Sequence, residues 1–134
     1  MKFSPASSQD RGYAAERVAE RYLKAQGLTL VTRNFRGRQG EIDLIMEDGN
    51  ILVFIEVRSR KSSRFGSAVE TIDATKQAKL IKTAQLYLLG DSKPAGKGQQ
   101  ANGRLDRICR FDTVDFDGDI GEQNLRWIKN AFSS

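Results

Sequence analysis

Glu41, Asp43 and Glu56 lie in the segments "GEIDLIMED" (40–48) and "ILVFIEVRSR" (51–60), among Ile, Leu, Val and Phe residues that otherwise spell buried β-strands. A carboxylate in such company is costly to take out of water unless a cation or hydrogen-bond donors meet it. Cations are close in sequence. Arg33, Arg36 and Arg38 precede the first segment, and Arg58, Arg60, Lys61 and Arg64 end or follow the second. Carboxylates gathered on one strand face suit a hard divalent ion such as Mg²⁺ (or Mn²⁺). Such an ion takes oxygen ligands, needs only one or two protein carboxylates, and completes its shell with water and phosphate oxygens.

Composition removes most competing chemistries. The chain has no His and one Cys, so it cannot build a Ser–His–Asp triad, a Cys–His dyad, a His-ligated zinc site, a CxxC pair or a disulfide. Cys109, inside "LDRICRFDTVDF", reads as a small core residue of a strand. Catalysis would therefore fall to Asp, Glu, Lys, Arg, Tyr, Ser or Thr, with or without a metal. The net charge of +5 is compatible with a polyanionic partner.

The elements that must position these residues follow from periodicity. At 134 residues the chain is long enough for one domain with its own core. Residues 10–26 place Ala15, Val18, Ala19, Tyr22 and Leu23 at helical spacing, with Gly27 as a stop and Glu16 and Glu20 one turn apart on one face. Residues 28–35 read as a strand, 36–40 as a loop, and 41–47 with 51–58 as a hairpin turning at Asp48–Gly49. Residues 68–89 read as a long helix ending at Gly90, with Lys76, Lys79 and Lys82 on its polar side. Residues 91–103 are Gly-rich and aperiodic, which predicts a mobile surface loop. "RICRFDTVDF" and "NLRWIKNAF" close the chain as two strands, or as a strand and an irregular tail. The longest purely apolar run is the five residues Ile51–Ile55, too short to span a membrane, and no apolar segment follows the first charge as in a secretory signal. A cytoplasmic protein without a membrane partner is the expectation.

The hairpin predicts where the acids point. A turn at Asp48–Gly49 sets Leu44 against Val53, Asp43 against Phe54 and Glu41 against Glu56. Alternation then puts Ile42, Leu44, Met46, Ile51, Val53, Ile55 and Val57 on one face, and Glu41, Asp43, Ile45, Leu52, Phe54, Glu56 and Arg58 on the other. Asp43 and Glu56 become diagonal neighbours, about 7–8 Å apart and within reach of one ion. The competing reading is a wet hairpin face, with Arg58 as a surface salt-bridge partner for Glu41 or Glu56.

At these residues the sequence resembles the PD-(D/E)xK nucleases, the restriction-endonuclease-like fold. It is most similar to the Holliday-junction-resolvase-like branch and, within it, to the YraN-like family. "GYAAERVAERYL", "RNFRGRQGEIDLI", "VFIEVRSR", "FGSAVETIDATKQAKLIKTAQLYL" and "RFDTV" carry the likeness over most of the chain. The resemblance implies an α/β fold with an αβββαβ core, a mixed sheet flanked by helices, as a single domain over residues 1–134. It implies Asp43 and Glu56 as metal ligands, completed by the backbone carbonyl of Val57. Glu16 matches the acid of the first helix, with Glu20 as second choice, and Glu41 stands beside the motif as an outer acid. The last motif position, usually Lys, is Arg58. A guanidinium stays charged, so Arg58 would act as an electrostatic clamp and not as a base.

The function implied is Mg²⁺-dependent (or Mn²⁺-dependent) endonucleolytic hydrolysis of phosphodiester bonds in DNA, including branched structures or repair and recombination intermediates. Arg36, Arg38, Arg60, Lys61, Lys76 and Lys79 are the candidate phosphate contacts, since such contacts supply most non-specific affinity. Resolvase-like relatives suggest a homodimer, although no interface is legible in the chain. Arg58 in place of Lys motivates a second reading, a nucleic-acid-binding module that keeps the nuclease fold without turnover. A small-molecule phosphodiesterase is a third.

Overall fold

A computed structural model describes residues 8–60, 72–90 and 107–133. Helix α1 (Ser8–Ala25) buries Ala15, Ala19 and Leu23, residues four apart on one stripe. It ends where Gly27 adopts φ +105°: the Leu28 N–H reaches the Leu23 carbonyl at 3.0 Å and the Gly27 N–H reaches that of Lys24 at 3.0 Å. This six-to-one and five-to-two pattern is a Schellman stop, which favours glycine at its left-handed position.

Strands β1 (Thr29–Arg36), β2 (Glu41–Asp48), β3 (Ile51–Arg60), β4 (Cys109–Asp117) and β5 (Leu125–Phe132) form one sheet in that spatial order. β3 and β4 run parallel and every other pair is antiparallel. A parallel pair needs a long crossover, and helix α2 (Ala74–Gly90) lies in it. The result is an αβββαββ chain, an α/β mixed sheet consistent with the expected restriction-endonuclease-like core. The closing segment is a full strand, not an irregular tail.

The helices take opposite faces of the sheet. Ala15, Ala19 and Leu23 of α1 pack with Leu44, Met46, Val53, Ile55, Val114 and Phe116. Leu80, Ala84 and Tyr87 of α2 pack with Ile42, Ile45, Leu52, Phe54 and Phe111. Both faces of β3 are thus covered, which accounts for its unbroken apolar run.

Three local expectations are corrected. Helix α2 begins at Ala74, later than the expected 68, because Asp73 caps it: the Lys76 N–H donates to Asp73 Oδ1 at 2.8 Å. Residues 68–71, like the expected loop at 91–103, lie outside the described residues.

The hairpin turns at Gly49–Asn50, with Gly49 at φ +62°, so that Asp48 pairs Ile51 and Leu44 pairs Ile55. A glycine with positive φ at the first turn position suits the right-handed twist of a hairpin. Relative to a turn at Asp48–Gly49 the register moves by two residues. Asp43 and Glu56 are therefore the residues immediately beyond the last pair, Leu44–Ile55, opposite each other instead of diagonal.

Ile42 does not share a face with Leu44. It packs with Phe35 in the α2-side cluster, while Leu44 belongs to the α1 side. On β1, the neighbouring Asn34 takes φ +51° and breaks the alternation there: Arg33 and Asn34 both reach α1, whereas Phe35 turns to α2.

Candidate functional site

The β2–β3 ladder stops at Leu44–Ile55, and beyond it a side chain takes the place of a backbone acceptor: the Val57 N–H donates to Asp43 Oδ2 at 2.7 Å. Asp43 is thereby held in the gap between two strands, close to both faces of the sheet. On one side α1 brings Glu16. On the other α2 brings Lys76 and Lys79.

Oxygens of Glu16, Glu41 and Asp43 lie within 4.8 Å of one another. Asn34 draws two of these acids together, its amide donating to Glu16 Oε1 at 3.0 Å and to Glu41 Oε2 at 2.7 Å. The left-handed backbone at Asn34, which asparagine tolerates better than most residues, is what aims that amide toward α1. Arg36 adds an ion pair to Glu41 at 3.3 Å. Glu56 is 7% exposed and pairs with Lys76, Nζ to Oε2 at 2.7 Å.

Two depressions meet at Glu41. One of about 340 Å³ is lined by Gln39, Gly40, Glu41, Asp43, Glu56, Lys76, Lys79 and Leu80. The other, of about 350 Å³, is lined by Gly12, Tyr13, Glu16, Asn34, Arg36 and Glu41. Arg38 and Lys82 line a third, adjoining at Gln39. A trough edged with basic residues therefore crosses the acid cluster.

Electrostatics at the centre are those of crowded like charges. Burial, then the charge of Glu56, pushes the Asp43 carboxyl up to about 9; the Val57 N–H opposes this, and Glu16 and Glu41 add to it. Burial also raises Glu16, against hydrogen bonds from Asn34 and Asp43, with further repulsion from Glu41 and Glu56. A site of hard oxygen donors that resist ionisation in one another's presence is one that a divalent cation would relieve. The donor set fits Mg²⁺ or Mn²⁺.

The remaining expected residues fall differently. Glu20, second choice to Glu16, is held away from the cluster by Arg33 at 2.6 and 2.8 Å and by Lys24 at 2.8 Å. These partners, the Arg33 hydrogen bond foremost, hold its carboxyl down to about 2 against burial. Arg58, expected as the clamp, is turned to β4, where its Nε and Nη2 donate to both oxygens of Asp115 at 2.9 Å. The reason is register: Arg58 and Asp115 are partners in the parallel β3–β4 pair. The Arg60 carbonyl accepts the Gly118 N–H at 2.7 Å at the end of that pair, and Lys61 lies outside the described residues. Glu41, expected as an outer acid, stands in the cluster itself.

Sequence reasoning missed Asn34 and Asp115. Asn34 offered only the weak signal that asparagine accepts a positive φ. A second missed acid, Asp112, is structural: it is 1% exposed and accepts from Arg110 at 2.8 and 2.9 Å, Trp127 Nε1 at 2.9 Å and the Asn130 N–H at 2.9 Å. Among the described residues no helix is long and apolar enough to cross a membrane.

Fold and site together define an α/β protein whose mixed sheet opens around a half-buried carboxylate cluster set between two helices. Residues 15–116 match the family described as "Uncharacterised protein family UPF0102". A UPF0102 protein of Nitrosococcus oceani is 46% identical over 128 residues, 96% of this chain and 95% of that protein. One from Colwellia psychrerythraea is 44% identical over 126 residues, covering 94% and 91%, and one from Coxiella burnetii is 48% identical over 125 residues, covering 92% of each. The chain belongs to the UPF0102 (YraN) family.

Proposed function

We propose that the protein is a metal-dependent nuclease of the PD-(D/E)xK kind that hydrolyses phosphodiester bonds in DNA, with branched or repair and recombination intermediates as its substrates. The observation that carries this reading is the convergence of Glu16, Glu41 and Asp43 where the β2–β3 ladder opens, with Glu56 lining the same depression as Glu41 and Asp43. Asp43 and Glu56, with the Val57 carbonyl, would hold Mg²⁺ or Mn²⁺, and Glu16 and Glu41 supply further oxygens. When bound, the ion would lower the pKa of a water and offset negative charge on the phosphoryl group.

The chain's own residues do the rest. Asn34 orients Glu16 and Glu41 by donating to both. Arg36, Arg38 and Lys79 line the trough and suit the phosphates flanking the scissile one. Such contacts release counterions, so DNA affinity should fall steeply with salt.

The test is incubation of the pure protein with four-way-junction, flapped and single-stranded DNA in Mg²⁺, Mn²⁺ or EDTA. Metal-dependent cutting that Asp43→Asn abolishes supports the enzyme. Binding without cutting by both proteins would overturn turnover in favour of a binding module, which the engagement of Arg58 by Asp115 otherwise favours. Binding with little salt dependence would point to a small-molecule phosphodiesterase.

A further inference from the structure

Arg58 sits where the superfamily pattern places its lysine, yet it is bound through two hydrogen bonds to Asp115, whose side chain is 4% exposed. Freeing Arg58 for substrate would strand a buried carboxylate, so the guanidinium is committed to holding β3 against β4. The ammonium that does reach the acids comes from α2. Lys76 lines the same depression as Glu41, Asp43 and Glu56, with Nζ 2.7 Å from Glu56 and a side chain that is 53% exposed. Its backbone is fixed in the first helical turn by the Asp73 cap at 2.8 Å, so only the flexible stem moves.

Deepening the nuclease reading, on which it rests, we propose that Lys76, and not Arg58, is the catalytic cation of this site, held by Glu56 and donating a hydrogen bond to a non-bridging oxygen of the scissile phosphate. An ammonium has three donors, and the Glu56 contact occupies one. In hydrolysis the water oxygen bonds to phosphorus and the ester P–O bond breaks. That bond's electron pair leaves on the departing oxygen, which takes up a proton, while the attacking water gives one to solvent. Lys76 would stabilise the charge that gathers on the phosphoryl oxygens through that step. Lys76 engages Glu56 Oε2 and leaves the other oxygen for a divalent ion, whose hold the neighbouring ammonium charge weakens.

Two measurements test this with the full chain: single-turnover cutting of junction DNA in Mg²⁺, and Mn²⁺ affinity read by electron paramagnetic resonance without DNA. Lys76→Met should slow cutting by at least about 100-fold while changing DNA affinity by less than about threefold, and Lys76→Arg should recover part of the rate. Lys76→Met should also bind Mn²⁺ several-fold more tightly, because Glu56 is released; loss of a merely structural lysine would not tighten it. Wild-type cutting matched by Lys76→Met, or unchanged or weakened Mn²⁺ binding in that variant, would overturn the proposal while leaving the nuclease reading in place. A wild-type protein that cuts no DNA would remove that reading and this role with it.

Discussion

Asp43 accepts the backbone N–H of Val57 just beyond Leu44–Ile55, the last paired rung of β2 and β3. One carboxylate thus replaces a ladder hydrogen bond and stands among three other acids. The cost of ionising it there makes the site a reporter of pH.

The Asp43 carboxyl is held up to about 9, against 3.8 ordinarily. Between those values the folded chain keeps a proton that the unfolded chain has released, so stability should fall as pH rises from about 4 to about 9. The slope cannot exceed about 1.4 kcal/mol per pH unit for one proton. Glu16, also raised, acts in the same direction. Asp43→Asn should flatten the decline and be relatively more stable at pH 8–9, in urea melts taken at each pH.

Cation binding should reverse that protonation. Mn²⁺ added at pH 7 should displace roughly one proton per ion, measured by calorimetry in buffers of different ionisation enthalpy, because the ligand must be a carboxylate. Uptake without proton release would mean that Asp43 is not a ligand.

Glu20 behaves in the opposite sense. With its carboxyl held down to about 2, its contribution is complete above the ordinary 4.5 and is lost as pH falls toward 2. Glu20→Gln should lower stability at pH 7 by roughly 1.5–3 kcal/mol, the range for hydrogen bonds to a charged group. The gap should close in acid melts near pH 2, and metal binding at neutral pH should be unaltered.

Arg58→Ala should destabilise the fold by roughly 3–5 kcal/mol, because it leaves Asp115 buried without its partner. The double variant Arg58→Ala with Asp115→Ala should recover much of that loss. Thermal denaturation of both variants checks the pair; an Arg58→Ala protein as stable as the wild type would remove its structural role.

Much of this was legible in the chain, for physical reasons that also set the boundary. The α1 stripe and the faces of most hairpin residues follow from periods of 3.6 and 2, which survive any error of two in register. That is why Asp43 and Glu56 come out as neighbours whether the hairpin turns at Asp48–Gly49 or at Gly49–Asn50. Ile42 follows its β1 partner Phe35 to the α2 side, next to Asn34, whose left-handed conformation alternation does not anticipate. Glu16 and Glu20 are equivalent by helical spacing; Arg33, arriving from β1, separates them. The position of Arg58 is not legible because its partner lies 57 residues further on, across a parallel pairing whose register the sequence does not declare.

Asn34 carries a consequence of its own. A β-branched residue resists the φ of +51° found there and would draw β1 toward the extended backbone of an ordinary edge strand. It would also withdraw the amide that joins Glu16 to Glu41. Regularity of the edge and proximity of the acids are alternatives in this architecture, so selection for sturdiness alone would dismantle the pocket from its rim.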